Sequence, residues 1–515
     1  MDGVTEPRQA GPQAVTDAFW LVLTAYLSQF LTLGLAFVLR RQLGPVGMGY
    51  VAIVTLVATY APYASLGTIQ AAEREIAIAI GRGNEAEAES LEAAGSRVAL
   101  LFALVAACVV AAVGIVRGST DHLLGATLLC AAAVLLLQQL GVWATLRLRT
   151  RYRFRSLGWI TAFTAVATAL LNVVGATVGG TVGTLIAIGL GSLLAAVLMA
   201  AVAGVGRVSI HRRGVIHGLA VLAPGFLASG AASLVLGSID QLAVGFLLGT
   251  TSLGLYSAAY LGYGFVLRVP TLIGSVIYPR LQRKLGASND RARVFAMVAR
   301  TTAIVAVAMP AMVAVFYVAL PALVYLILPE FRQAVDPMRL LLVGLVGFAF
   351  GMPATQYLIT VNRQWLQVAI SGAFLVGMAS AYLAASATGH MSLLVAAGVD
   401  AVGYYAYGIT MQIAAHRVAG VPLRAMLSLM PIHALTAVEL LLGAVLTGAL
   451  LGSAGATGII LGAVAQAILF GACWLALAAA FAHSHDGARD DMRLLLDLMR
   501  EGLTWIRRVV LRSIV

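Results

Sequence analysis

SGAASLVLGSIDQLAVGFLLGTTSLGLYSAAYLGYGFVLRVPTLIGSVIYPRL, residues Ser229 to Leu281, decides how the chain is read. Two long apolar segments flank a short Gly/Thr/Ser turn, Gly249 to Gly254. Each segment carries one charge, Asp240 in the first and Arg268 in the second. A charge at mid-membrane costs roughly 2.5–3.5 kcal/mol on insertion scales, so it faces a partner or a wet cavity. At 1.5 Å of helix per residue, the two charges lie at depths that differ by about 7 Å. Two readings follow: a structural ion pair, or two side chains on the wall of a substrate chamber.

The rest of the chain has the same character. Its 515 residues are 61% hydrophobic and only 10% charged, with a mean hydropathy of +0.95. That composition excludes a soluble globular protein, and the long apolar runs define an all-α polytopic membrane protein. Met1 to Thr16 is polar and the apolar run after it is full length, so no cleavable signal peptide is expected. Cys108, Cys130 and Cys473 lie singly in apolar runs. They read as small packing residues, with no disulfide framework and no metal site.

About fourteen spans are expected, at 17–39, 46–69, 95–116, 122–146, 156–177, 181–204, 216–247, 254–278, 299–319, 338–361, 365–387, 391–414, 426–451 and 457–482. Pro321 to Arg339 is a weaker segment that reads as re-entrant or interfacial. With the N-terminus in the cytoplasm, 27 of the 33 Lys and Arg residues fall in inner segments and 5 in outer loops. That bias fixes the orientation and puts both termini inside. It also accounts for the net charge of +12 without a nucleic-acid partner. The run Arg147 to Arg155 reads as a topology determinant beside anionic headgroups. GRGNEAEAESLEAAG, residues 81–95, reads as a solvated helix face, and Arg489 to Val515 as an amphipathic helix on the inner leaflet.

The chain repeats itself. A shift of 205 residues lays Leu43, Gly44 and Gly49 on Leu248, Gly249 and Gly254, and Thr24 and Ser28 on Ser229 and Ser233. This fits two six-span halves of the same orientation. The expected organisation is a cytoplasmic N-terminus (1–16), an N-terminal six-helix lobe (17–204), a linker (205–215) and a second six-helix lobe (216–414). Two further helices (425–482) and a cytoplasmic tail (483–515) complete it.

Polar residues recur on single helical faces inside the spans. Asp17, Thr24, Ser28 and Thr32 lie within roughly an 80° wedge of the first span, and Ser229, Ser233 and Asp240 share a face of the seventh. Asp400, Tyr404 and Tyr407 do the same in the twelfth, and Tyr260 stands mid-span in the eighth. Serines and threonines also serve as helix–helix hydrogen bonds, so each alone is ambiguous. Together Arg268, Asp240, Tyr260, Ser229, Ser233, Thr24, Ser28, Asp400 and Tyr404 form the candidate substrate-binding set.

Several stretches resemble the polysaccharide flippases of the multidrug/oligosaccharidyl-lipid/polysaccharide exporter superfamily. They are RRQLGPVGMGYVAIV (Arg40 to Val54), Arg74-Glu75-Ile76-Ala77, SIDQLAVGFLLGTTSLGLYSAAY (Ser238 to Tyr260), Tyr278-Pro279-Arg280-Leu281 and LPEFRQA (Leu328 to Ala334). The resemblance covers about residues 17 to 424. It implies a V-shaped pair of six-helix lobes, alternating access and a lipid-linked sugar as cargo. In related lipid II flippases an arginine of the eighth span holds the diphosphate, and Arg268 is similar in location. The first span offers Ser28 and Gln29 where that branch has another arginine, so lipid II is only an alternative cargo. Drug exporters of the same superfamily use an intramembrane carboxylate for cation coupling, for which Asp240 or Asp400 could serve.

The expected function is therefore transport of a polyprenyl-diphosphate-linked oligosaccharide across a bacterial cytoplasmic membrane. A cation-coupled exporter is the alternative. No catalysis, cofactor or metal is expected: the outer loops are short and the phosphate-cradling pattern GxxxxGK[ST] is absent. The expected partners are the lipid-linked oligosaccharide, membrane lipids, and glycosyltransferases or a polymerase of the same pathway.

Overall fold

A computed structural model describes residues 12–151, 153–204, 213–268, 270–271, 281, 291–427, 429–430 and 468. The expectations for the N-terminus, the linker, the segment after Thr271, most of spans thirteen and fourteen, and the amphipathic tail lie outside these residues.

Among the described residues the regular elements are all helices. In chain order they are α1 (Pro12–Tyr60), α2 (Thr68–Gly81), α3 (Glu85–Gly118), α4 (His122–Thr150) and α5 (Phe154–Ala203). Then come α6 (Arg213–Leu236), α7 (Ile239–Leu247), α8 (Thr250–Ala259), α9 (Arg291–Ile327), α10 (Val335–Thr360), α11 (Gln364–Ala387), α12 (Leu393–Ala419) and the short α13 (Arg424–Leu427). Nine stretches of the described residues are long and apolar enough to cross a membrane. Two of these hold a pair of helices each, because α1 breaks at Gly44 and α5 at Gly179–Gly180. Both breaks fall between expected spans. Large apolar side chains such as Leu101, Val109, Val178 and Ile186 are exposed on α3 and α5, as a lipid-facing surface requires.

The structure corrects four sequence expectations. The turn before α8 is shorter than Gly249 to Gly254, because the helix starts at Thr250. The seventh span is not continuous, since Gly237 and Ser238 separate α6 from α7. Pro321 to Arg339 is the end of α9, a single 3-10 segment at Pro329–Ala334 and the start of α10. Glu92 does not belong to a solvated face. It is 5% exposed, with Arg147 Nε at 3.5 Å and Arg151 Nη2 at 3.5 Å. Two further pairs, Arg149–Glu73 at 3.9 Å and Arg151–Glu85 at 3.7 Å, tie the basic end of α4 to α2 and α3.

The chain forms two compact units, each discontinuous in sequence. The first comprises Met1–Leu261, Ile327–Pro337 and Gln364–Val399, and the second Gly262–Leu326, Met338–Arg363 and Asp400–Val515. In the first unit, Ile69, Ile76, Leu91, Leu146 and Leu219 pack α2, α3, α4 and α6 into one core. Val54, Val134 and Leu185 join α1, α4 and α5 in another. In the second unit, Gly344, Gly347 and Gly351 bring α10 onto the backbone of α12 at Ala401, Tyr405 and Gly408. Small residues at helical spacing allow that approach.

The sequence repeat is a physical contact in the first unit. Gly44 (φ 63°, ψ −177°) and Gly249 (φ 85°, ψ 179°) adopt the same backbone conformation, one open essentially to glycine alone. Each starts a new helix. Five residues on, Gly49 packs against the carbonyl of Thr250, and Gly254 packs against the carbonyl of Pro45. Pro45 and Thr250 are themselves related by the 205-residue shift, so the contact is reciprocal. A Cβ at either glycine would collide with the opposing carbonyl. Gly189 in α5 has nothing within 4 Å of its would-be Cβ. Gly254→Ala is expected to cost about 3 kcal/mol through overpacking. Gly189→Ala should be neutral or stabilising through helix propensity. Thermal unfolding of the purified variants measures both, and equal behaviour of the two would contradict the crossing.

Candidate functional site

Three helix ends of the first unit converge on one cluster. α6 stops at Leu236, and α7 restarts after Gly237 and Ser238. That restart puts Asp240 in the first turn of α7, where the positive end of the helix dipole favours a carboxylate. Asp240 is fully buried. Tyr260 follows the last residue of α8, and its hydroxyl donates to Asp240 Oδ2 at 2.5 Å. Tyr256, one turn earlier and fully buried, sets its ring 5.8 Å from that of Tyr260. Tyr60 ends α1 and lies 2.7 Å from Ser238 Oγ. Ser238 already donates its proton to the Leu234 carbonyl at 2.9 Å, so Tyr60 is the donor between them.

The α1 break that follows Tyr60 is itself a built feature. Ala61–Tyr63 is a 3-10 turn containing Pro62. Gln139, buried on α4, donates through Nε2 to the carbonyl of Ala61, which also accepts from the Ala64 N–H at 3.0 Å. Interrupted helices inside an apolar layer need such substitutes for their lost backbone bonds.

Ser229 and Ser233 meet a partner that the sequence reading missed. Gln367 of α11 is fully buried. Its Oε1 accepts from Ser229 Oγ at 2.8 Å, and its Nε2 donates to Ser233 Oγ and to Ser371 Oγ, both at 3.2 Å. The two serines thus join α6 to α11. The available signal was a lone glutamine in an otherwise apolar span, four residues before Ser371.

Of the other candidates, Ser28 is half-buried on α1, and the side chain of Thr24 lies outside the described residues. Asp400 and Tyr404 belong to the second unit and are both fully buried. The Tyr404 ring lies 5.0 Å from that of Phe348, which stacks on Tyr407 at 5.8 Å. Arg268, also of the second unit, lies in the helical residues 263–268 with an exposed side chain. The structure therefore brings together Asp240 with Tyr260, and Ser229 with Ser233. Among the described residues no three His, Cys, Asp or Glu side chains are grouped as a metal site.

Residues 38–336 match the family described as polysaccharide biosynthesis protein. No curated protein is significantly similar to the chain in sequence. Among solved structures, the lipid II flippase MurJ in an inward closed conformation superimposes with a TM-score of 0.65 at 11% identity, covering 90% of this chain and 98% of that one. An inward-facing multidrug resistance MATE family transporter of the MOP superfamily gives 0.60 at 13% identity, over 78% of this chain and 98% of the other. A MOP superfamily transporter from Pyrococcus furiosus gives 0.51 at 16% identity, over 79% and 94%. These likenesses establish the fold. The chain belongs to the polysaccharide biosynthesis protein family.

Proposed function

We propose that the protein is a flippase that carries a polyprenyl-diphosphate-linked oligosaccharide from the cytoplasmic to the outer leaflet by alternating access. The observation that carries this reading is a polysaccharide biosynthesis family match, over residues 38–336, on a chain with a MOP transporter fold. The membrane in this reading is the bacterial cytoplasmic membrane with both termini inside, an orientation that the 27-to-5 bias of basic residues supports.

The chemistry needed is transport alone. A sugar–diphosphate head must shed water while its polyprenyl tail stays in lipid. Hydrogen-bonding side chains and a cation replace the lost hydration, and the planar fork of arginine suits a phosphate. Arg268 fills that role in this reading. Discontinuous helices near substrate sites are a recurrent feature of transporters, and the breaks at Gly237–Ser238 and after Tyr60 support the same reading. The chain has no nucleotide-binding pattern, so the driving force is an ion gradient, the membrane potential or removal of product outside.

Buried Asp240 at a helix start favours a second reading, a cation-coupled exporter on the same fold. The two readings separate on deletion. The flippase predicts lipid-linked oligosaccharide trapped in the cytoplasmic leaflet, whereas the exporter predicts raised drug susceptibility with intact surface glycan.

Arg268→Ala is expected to cut flipping at least tenfold at near-normal protein abundance. Unimpaired glycan export by this variant removes Arg268 from the phosphate role. Tyr260→Phe takes the phenolic donor from Asp240 and should lower stability by about 1–3 kcal/mol. In a double-mutant cycle with Asp240→Asn the two costs should fail to add, read from thermal unfolding of the four proteins.

A further inference from the structure

The reciprocal glycine crossing carries one side chain that its geometry does not require. Arg40 lies on α1 one turn before the break at Gly44. It is only 8% exposed, whereas its neighbour Arg41 is exposed. Its fork reaches from the first repeat to the second. Nη2 donates to the Ser257 carbonyl of α8 at 2.8 Å and lies 3.5 Å from Ser257 Oγ. Nη1 donates to the Ala36 carbonyl of its own helix at 3.2 Å, and Nε is buried with no hydrogen-bond partner among the described residues. Ser257 in turn donates to the carbonyl of Gly254, a glycine of the crossing, at 2.7 Å.

Every acceptor in this set is uncharged. Among the described residues no carboxylate forms an ion pair with Arg40. Glu330 brings a carboxylate oxygen to Gly44, one turn on, without pairing with the arginine. A dry cation with no counter-charge carries a desolvation cost that hydrogen bonds to carbonyls offset only in part.

The repeat shows that the crossing can do without this charge. The 205-residue shift lays Arg40 on Gly245 and Ala52 on Ser257. The glycine contacts are therefore symmetric, while the arginine stands on one side alone. Two effects of opposite sign meet here. Close backbone packing favours the crossing, and burial of a lone guanidinium opposes it. In the orientation proposed above, Arg40 lies near the outer end of the first span, about 6 Å of helix from the break. Parting of α1 from α8 at that end would return it to outside water.

We propose that Arg40 is the release element of an outer gate formed by the crossing of α1 and α8. Its burial without a counter-charge keeps the closed crossing close in free energy to the open one. The proposal rests on the alternating-access part of the flippase reading, which the exporter reading shares. With the charge removed, the glycine contact holds α1 and α8 together more firmly and the outer side opens less often.

The test uses the full chain in sealed, right-side-out membranes, with Cys108, Cys130 and Cys473 replaced by alanine. Ala52→Cys is the reporter, because Ala52 is buried three residues past Gly49 on the same helical face. Thr120→Cys, at an exposed position between α3 and α4, is the control. A membrane-impermeant maleimide added outside reads the reporter's labelling rate relative to the control. Arg40→Gln removes the charge and keeps a donor for the Ser257 carbonyl, whereas Arg40→Met removes both. Each is expected to slow labelling of the reporter at least fivefold with the control unchanged. If Arg40→Met does not fold, Arg40→Gln decides alone. An unchanged or faster rate in Arg40→Gln overturns the proposal, since Arg40 is then a packing residue or a clamp. A reporter that never reacts in the protein with Arg40 in place shows that the crossing does not part, and also overturns it. A control that does not react overturns the orientation and the outer gate with it. None of these rates needs cargo, so they stand apart from the deletion assay that decides the flippase reading.

Discussion

Contact between two carbonyl oxygens and two glycines sets the architecture of the first unit. Gly49 lies on the Thr250 carbonyl and Gly254 on the Pro45 carbonyl, so two helices cross at backbone distance. A membrane interior offers no hydrophobic gain for bringing helices together, because lipid chains are as apolar as leucine. Close backbone packing must supply the attraction instead, and glycine permits the closest approach. The crossing also demands a sharp helix restart just before it, which Gly44 and Gly249 provide in the same left-handed conformation. One five-residue step thus fixes both where the helix begins and where it touches its counterpart.

A second constraint acts on the polar groups. In hydrocarbon a lone donor or acceptor costs several kcal/mol, which favours a partner within the protein. The first unit meets this demand at its helix breaks. Gln139 covers the carbonyl of Ala61, Tyr60 donates to Ser238, and Tyr260 donates to Asp240. Gln367 collects three serines from two helices. The second unit follows the same rule at Gln412, whose Nε2 donates to Thr302 Oγ1 at 3.0 Å and to the Phe350 carbonyl at 2.6 Å.

These two constraints explain which parts of the fold were legible in the sequence. Apolar runs of membrane length are a strong signal, so the all-helical class could be read directly. The repeat was legible because Gly44, Gly49, Gly249 and Gly254 are required by geometry rather than by packing preference. The break at Gly237–Ser238 was not, since nothing local distinguishes Leu236-Gly237-Ser238 from the many Gly and Ser residues tolerated inside membrane helices. Pairings such as Ser229 with Gln367 span 138 residues and follow from tertiary placement alone. The five arginines from Arg147 to Arg155 read as a charge count, yet Arg147, Arg149 and Arg151 each take a glutamate partner from α2 or α3. Of the candidate site, the pairing of Asp240 and Tyr260 was half-legible: both stood out as polar in apolar spans, but the broken helices that bring them together did not.

The helix breaks and the paired polar groups have one origin. A helix that stops inside the membrane frees carbonyls and amides, and side chains must replace the lost bonds. Those side chains then depend on the helix end staying where it is. Ser238 is both the residue preceding α7 and the acceptor for Tyr60 at the end of α1. Asp240 is both in the first turn of α7 and the acceptor for Tyr260 at the end of α8. Tilting α7 against α6 would therefore strain two hydrogen bonds to two other helices at once. Within this unit, such a motion must either carry the ends of α1 and α8 along with it or exchange these bonds for others. In a dry interior the exchange needs an incoming polar ligand or water to bond the groups that separate.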